Sequence, residues 1–307
     1  MRIITILSVR RLFTWISVIV IGAVGLSACG GNTDSENADS PTVVVSTAVL
    51  GSIVREVVGD AATVEVLMPN GVDPHGWEAS AKDIEALSTA DFVVINGLHL
   101  EPSLDEAVDE ARSNGVIVFD ASDHVNVIVN ASETDDDHSD GDPHIWTDAS
   151  AMADVALALG EALDAAGIGT GDRASVTYER LLTLDNELQK LVDVLDDSRR
   201  RLVTGHESLA YLARRYGFDL VGTVVPGLSS ASEVSAGELA ALKDVIATEG
   251  VDVIFSEVGT PTQVTEAIAD ETGADVVELD THLLPPDGSY ETFMTELVSA
   301  IVSALSS

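Results

Sequence analysis

Cysteine is almost absent from this sequence, since Cys29 is the only one among 307 residues. An internal disulfide, a CxxC redox pair and a cysteine-based zinc site are therefore excluded. Basic residues are also scarce: 15 Lys and Arg stand against 52 Asp and Glu, and the formal net charge is −37. A surface of this charge repels nucleic acid, so we expect no nucleic-acid partner, and bulk acidity of this kind is typical of an adaptation for solubility.

A long apolar run lies near the N-terminus. Three arginines precede the stretch "LFTWISVIVIGAVG", which continues directly into "LSAC". This order is typical of an export signal, and the small residues before the cysteine resemble the lipobox of bacterial lipoproteins, in which the cysteine is acylated. An uncleaved signal anchor is the alternative, because residues 12–28 nearly reach the length of a membrane helix.

We therefore predict a lipoprotein signal peptide over residues 1–28 and lipid attachment at Cys29. The following segment, 29–40, is short, polar and rich in Gly, Ser and Asp, which predicts a flexible tether. From residue 41 onward no run is long or apolar enough to span a bilayer. The folded part of the chain is thus expected outside the cytoplasmic membrane, anchored to it by lipid.

The remaining sequence alternates short β-branched runs with helical stretches. "TVVVS", "TVEVLM" and "DFVVIN" are separated by segments such as "SAKDIEALSTA", and the alternation resumes with "RLVTG" and "VDVIFSE". Such alternation indicates parallel sheets flanked by helices. The sequence predicts an α/β fold with two Rossmann-like lobes, one over residues 41–171 and the other over 201–307.

A leucine stripe lies between the two predicted lobes. Five leucines recur at a spacing of three and four residues: Leu181, Leu184, Leu188, Leu191 and Leu195. The stripe predicts one long, rigid helix over 172–200 that joins the lobes. A coiled-coil dimer is disfavoured because the stripe lasts only about two heptads, so we expect a monomer.

One short motif occurs twice in the first predicted lobe. "DPHGW" covers residues 73–77 and "DPHIW" covers 142–146, so that His75 and His144 each lie on a turn before a predicted helix. The preceding proline restricts the backbone, and the tryptophan two residues later can shield the imidazole from water. Paired histidines without a thiol suit a borderline metal such as zinc.

The second predicted lobe offers further ligands at the ends of strands. His206 follows "RLVTG", and Asp280 ends "ADVVELD", with His282 as the alternative to Asp280. Ligand-binding residues in open α/β sheets lie beyond the carboxyl ends of the strands. Two ligands from each lobe would thus meet in the cleft between them. Glu257, at the end of "VIFSE", can either orient a ligand or lie solvated at its strand end.

The order of these motifs resembles the metal-specific solute-binding lipoproteins of ABC transporters, which capture zinc or manganese. The resemblance rests on the two D-P-H copies, "INGLHLEPSLDEA", "TGHESLAYLARRYGFDLVG", "VDVIFSE" and the terminal "YETFMTELVSAI". It implies two α/β lobes joined by a rigid helix and a metal held by four residues, His75, His144, His206 and Asp280. It also implies delivery to the permease and ATPase of an ABC transporter.

The third of these positions separates metals within the resembled family. Relatives that prefer manganese often carry Glu there, whereas His, as in this sequence, is usual in those that prefer zinc. Zn²⁺ is therefore the expected transported ligand and Mn²⁺ the alternative. The stretch "ETDDDHSDGDPH" resembles a short form of the acidic, His-rich loop of zinc-capturing relatives, so that His138 is either a weak secondary metal ligand or part of a solvated loop.

Two other function classes fit the same residues less well. A metallohydrolase would need an open coordination position and a general base, and the sequence contains neither H-E-x-x-H nor G-x-S-x-G. A surface adhesin is the remaining alternative, but no adhesive module is recognisable. The sequence thus favours a carrier over an enzyme.

Overall fold

In a computed structural model that describes residues 40–129 and 141–307, two separate parallel sheets carry the fold. The first consists of β1 (Thr42–Val45), β2 (Thr63–Val66), β3 (Phe92–Ile95) and β4 (Ile117–Asp120) in the order β2-β1-β3-β4. The second consists of β5 (Arg201–Thr204), β6 (Asp219–Thr223), β7 (Val253–Glu257) and β8 (Asp275–Leu279) in the equivalent order β6-β5-β7-β8. The predicted α/β fold with two lobes is confirmed.

Helices follow the strands of both sheets, as parallel connections require. The helices of the first lobe are α1 (Ala48–Val58), α2 (Ala81–Thr89), α3 (Asp105–Ser113) and α4 (Ala149–Ala165). Then come α5 (Arg173–Val192), α6 (Ala210–Tyr216), α7 (Ala236–Glu249), α8 (Thr262–Thr272) and α9 (Tyr290–Leu305). Short 3₁₀ turns lie between them, and two of these, over Pro74–Gly76 and Ile145–Thr147, belong to the repeated DPHxW motif.

Each sheet buries both of its faces, which explains the nearly continuous apolar runs in its strands. In β1, Val43 and Val45 point into a large core, whereas Val44 packs on the opposite face with the apolar side of α2 and α3. The large core continues through α4, α5 and α9 to strand residues of the second sheet, including Leu202. One apolar core therefore links the two lobes on the side of these helices.

The leucine stripe lies on α5, where Leu181, Leu184 and Leu188 are buried against neighbouring helices. Leu191 is half-buried, and Leu195 is buried beyond the helix end. The helix ends at Val192 rather than continuing to residue 200, and a 3₁₀ turn covers Asp197–Arg199. Helix α5 packs against α4, α1 and α9, so its apolar face is covered within the chain.

The membrane-related predictions concern residues that the structure does not describe. The predicted signal peptide, Cys29 and almost all of the tether precede residue 40, and His138 lies in the segment 130–140. Among the residues that the structure does describe, no helix combines the length and the apolar character of a membrane span.

Candidate metal centre

The first copy of the repeated motif places His75 on a short turn after β2. Asp73 caps this turn, since Asp73 Oδ1 accepts a hydrogen bond from the backbone N–H of His75 at 3.1 Å. Pro74 occupies the first position of the turn, where its lack of an N–H costs no hydrogen bond and its fixed φ suits the turn. His75 itself is half-buried.

The second copy places His144 immediately before the turn that leads into α4. Asp142 Oδ1 accepts from the backbone N–H of His144 at 2.9 Å, as Asp73 does for His75. The same oxygen lies 2.7 Å from His144 Nδ1, and both side chains are completely buried. Asn96 supports this loop, because its Nδ2 donates to the carbonyl of Pro143 at 2.8 Å.

His206 enters from the second lobe, two residues beyond the end of β5. Its imidazole is completely buried, and Thr204 Oγ1 donates to its carbonyl at 2.6 Å. The preceding Gly205 is required by close packing, since a Cβ there would lie 2.0 Å from Thr260 Oγ1. Tertiary packing therefore fixes the path of the chain at His206.

The three imidazoles meet at one point. His144 Nε2 lies 3.2 Å from His75 Nε2 and 3.1 Å from His206 Nε2. All three ligand atoms lie within 4.8 Å of one another, and they are the one group of potential metal ligands found among the described residues. The turn after β2, the loop before α4 and the end of β5 thus build a single three-histidine centre.

These distances agree with the geometry of a tetrahedral ion. Zn–N bonds of about 2.0–2.1 Å place two nitrogens of a tetrahedron about 3.3 Å apart. Because a carboxylate only accepts, Asp142 fixes the proton of His144 on Nδ1 and leaves Nε2 with its lone pair. Where the Nε2 atoms of His75 and His206 also carry lone pairs, the three converging nitrogens repel one another unless a proton or a cation lies between them. The arrangement can therefore hold a metal ion.

Glu257 supports His206 from the end of β7. It is buried, its Oε1 accepts from the backbone N–H of His206 at 3.2 Å, and both carboxylate oxygens accept from Ser208 Oγ. His206 Nδ1 also lies 3.2 Å from Glu257 Oε1, although outside the direction of a good hydrogen bond. Glu257 is thus held against a candidate ligand, whereas a solvated strand-end acid would be exposed.

The carboxylates make the centre electrostatically suited to cations. Burial alone would raise the pKa of Glu257, but His206 and the hydrogen bond from Ser208 lower it to about 2. Burial alone would lower the pKa of His206, but Glu257 reverses this effect, with contributions from Asp73 and Asp142, and the pKa is raised. Negative charge around buried imidazoles favours any cation that binds there, a proton or a metal ion.

The structure does not bring Asp280 to the three histidines. Asp280 is exposed and lines a surface groove together with Arg55, Asn70 and Leu283. The next two residues turn inward, because Thr281 Oγ1 donates to Glu257 Oε2 and the Thr281 carbonyl accepts from Trp146 Nε1 at 3.0 Å. The assignment of Asp280 as the fourth ligand therefore stays a prediction, and in this structure Asp280 lies outside the group formed by the three histidines.

His282, the predicted alternative to Asp280, is buried beside Trp146. It is 7% exposed, its ring stacks at an angle on Trp146 with 5.1 Å between centroids, and its buried Nε2 has no hydrogen-bond partner among the described residues. Burial lowers the pKa of His282 to about 4, although Glu257 and Asp73 oppose the shift, so the ring is neutral. A neutral, buried and unpartnered imidazole is competent to bind a metal ion.

The two tryptophans of the repeated motif have different surroundings. The Trp146 ring lies 5.4 Å from the His144 ring and also contacts His282, so Trp146 shields the centre as expected. Trp77 is half-buried and packs against the apolar cluster that contains Val44 and Leu87. Sequence reasoning missed the roles of Asp73 and Asp142, although their constant position two residues before each histidine was a usable signal.

Comparison with known proteins places this geometry in a family. Residues 43–304 match the model of the family described as zinc-uptake complex component A, periplasmic (ZnuA). The zinc-binding protein TroA of Treponema pallidum is 29% identical over 303 residues, which cover 94% of this chain and 96% of that protein. The manganese-binding lipoprotein MntA of Halalkalibacterium halodurans is 26% identical, with 94% and 97% covered.

A solved structure agrees with the sequence comparison. The periplasmic zinc-binding protein TroA from Treponema pallidum superposes with a TM-score of 0.75 and 28% identity, covering 87% of this chain and 99% of that one. The similarity therefore extends over both lobes and includes the elements that carry the three histidines.

Proposed function

The chain belongs to the zinc-uptake complex component A family, whose members are metal-binding components of ABC transporters rather than enzymes, and we propose that it captures Zn²⁺ for delivery to an ABC permease. The observation that carries the proposal is the convergence of three imidazole Nε2 atoms, two of them on completely buried side chains from different lobes. A centre shared by two lobes can bind an ion by closure and release it by opening.

The ligand set supports zinc in preference to manganese. Neutral imidazoles suit zinc, whereas manganese favours oxygen ligands and a higher coordination number. In this chain the third ligand position carries His206, and the nearby Glu257 is engaged by Ser208 and Thr281 rather than directed at the other histidines. Relatives with names that specify zinc and relatives with names that specify manganese both match this chain, so the preference is argued from its own residues.

We propose His282 as the fourth ligand in place of Asp280. The support is its burial, its neutral state and the absence of a partner for Nε2 among the described residues, against the exposure of Asp280. His282 is not within the tight group formed by the other three histidines, so binding requires a local movement of its loop. Four nitrogen ligands would complete a tetrahedral shell and strengthen the preference for zinc.

We further propose that the protein acts as a monomer tethered to the outer face of the cytoplasmic membrane by lipid on Cys29. The lipobox-like "LSAC" and the polar tether of residues 29–40 support this arrangement. Coverage of the α5 leucine stripe by α4, α1 and α9 removes the reason to expect a coiled-coil dimer.

A competition titration tests the proposed function. Metal-free protein is titrated with Zn²⁺ in the presence of Mn²⁺, for the wild type and for His206→Ala, and His124→Ala is the matched control because His124 is exposed and stacks on Phe119. We expect one zinc ion per chain, bound in preference to manganese, lost in His206→Ala and retained in His124→Ala. Preference for manganese would overturn the metal, and weak binding of both ions would overturn the function.

A further inference from the structure

The two oxygens of Asp73 bind residues of different lobes. Oδ1 caps the turn of His75, as described above, and Oδ2 accepts a hydrogen bond from Ser230 Oγ. Ser230 belongs to the loop that follows β6 in the second lobe, and it is buried. One carboxylate therefore joins a metal-ligand turn of the first lobe to a loop of the second.

The equivalent aspartate of the second motif copy has a different role. Asp142 caps the backbone of His144 and also contacts the His144 ring, so both of these interactions stay within one motif. Asp73 caps the backbone of His75 and then reaches Ser230, 157 residues away in sequence. The repeated motif has thus been used once to orient a ligand ring and once to connect the lobes.

The packing around Asp73 is adapted to this contact. Gly259, after β7, lies beside it with φ +85°, and a Cβ at this position would lie 2.3 Å from Asp73 Oδ2 and 2.9 Å from Ser230 Oγ. Any larger residue at 259 would collide with both partners of the hydrogen bond. The absence of a side chain at Gly259 thus leaves room for the hydrogen bond between Asp73 and Ser230.

The ligand next to this contact is the most accessible of the three histidines. His75 is half-buried, whereas His144 and His206 are completely buried. Departure of an ion from the centre is therefore expected to begin with the turn that carries His75, and a bond that fixes this turn to the opposite lobe opposes that step.

We propose that Asp73 and Ser230 form a latch between the lobes, which positions His75 on the bound ion and slows zinc release. Neither residue is itself a ligand in this scheme. The proposal rests on the proposed function, since it needs a metal at the three histidines. It predicts that breaking the latch changes the dissociation rate of the metal more than its association rate.

Ser230→Ala tests the latch directly. Zinc-loaded full-length protein in detergent is mixed with excess chelator, and the release of Zn²⁺ is followed over time. We expect release about tenfold faster than in the wild type, equivalent to ~1.4 kcal/mol, with little change in the association rate. Ser230→Thr keeps the hydroxyl and should restore slow release.

The loop provides a matched control. Ser229 Oγ accepts from the backbone N–H of Ala231 within the same loop, so Ser229→Ala disturbs the loop without touching Asp73. Ser229→Ala should release zinc at the wild-type rate. The melting temperature of each metal-free variant shows whether the fold is retained, and a purely structural role of Ser230 would lower this temperature without a specific effect on release.

Gly259→Ala offers an independent test from the other side of the contact. Gly273, at the end of α8, has a similar φ of +81° but has no atom near an added Cβ, so Gly273→Ala reproduces the backbone strain without the collision. Faster zinc release in Gly259→Ala than in Gly273→Ala supports the latch. Equal rates in this pair would contradict the latch, as would unchanged release in Ser230→Ala.

The outcome for the wild type separates the two proposals. If the wild type fails to bind zinc or manganese, the proposed function is wrong and the latch is wrong with it. If the wild type binds tightly and Ser230→Ala releases the ion at the wild-type rate, the latch alone is wrong.

Discussion

His144 Nδ1 lies 2.7 Å from Asp142 Oδ1 inside the protein, and neither side chain has access to solvent. This carboxylate fixes the tautomer and the orientation of the imidazole, which leaves Nε2 as the candidate ligand atom. We therefore expect Asp142→Asn to weaken zinc binding by about 10- to 100-fold, the usual effect of removing such a supporting carboxylate. Equilibrium titration with a competing zinc chelator measures the change.

Asp105→Asn is the control for this substitution. Asp105 lies in the same lobe, is about half exposed and pairs with His99 at 2.8 Å, away from the centre. The Asp105→Asn substitution removes the same charge without touching a candidate ligand, so the zinc affinity of this variant should match that of the wild type. Equal affinities for Asp142→Asn and Asp105→Asn would contradict the assigned role of Asp142.

Zinc affinity should begin to depend on pH at a higher pH than that at which an ordinary histidine titrates. Because the pKa of His206 is raised by Glu257, metal-free protein holds a proton on His206 at pH values where a free imidazole is already neutral. Zinc must displace this proton. As the pH is lowered from 8, the zinc affinity should therefore begin to decrease before pH 6.5 is reached, and it should decrease further at lower pH. Titrations between pH 8 and pH 5.5 measure this, and constant affinity across that range would count against the account.

The fourth ligand can be identified by comparing two neighbouring substitutions. His282→Ala should weaken zinc binding by about 100-fold, equivalent to ~2.7 kcal/mol, whereas Asp280→Ala should leave it nearly unchanged because Asp280 is exposed. Substitution of Co²⁺ for Zn²⁺ adds a second measurement, since visible absorption of Co²⁺ changes when a ligand of a tetrahedral site is lost. The reverse order of effects would restore Asp280 as the ligand.

Lipid attachment is tested by Cys29→Ala expressed in a bacterial host. The wild type should sediment with the membrane fraction and carry the mass of an acyl modification at its mature N-terminus. The variant should lose that modification and should not be processed at this position. Wild-type protein without lipid, retained through an uncleaved apolar segment, would support the signal-anchor alternative.

Sequence patterns predicted the fold and the meeting of three histidines at one point for identifiable reasons. Strands β1 and β3 are buried on both faces, so their amino-acid sequences are continuous apolar runs, which are typical of a parallel sheet. His75 and His144 carry a repeated motif, and His206 follows a strand end, where ligand residues of α/β folds occur. Each of these signals is local to a short stretch of sequence.

The choice between Asp280 and His282 could not be predicted in the same way. Whether Asp280 or His282 points inward depends on Thr281, which is held by Glu257 and Trp146, residues that are distant in the sequence. The contact between Asp73 and Ser230 was equally hidden, because it forms only when two lobes meet. The length of α5 was overestimated for a related reason: Leu195 continues the stripe but packs from beyond the helix end.

The most direct test of the central claim is a crystal structure of the zinc-loaded protein with anomalous diffraction measured on both sides of the zinc absorption edge. We expect one ion between the lobes, at about 2.0–2.1 Å from the Nε2 atoms of His75, His144 and His206. An ion bound elsewhere, or one that lacks any of these three ligands, would contradict it.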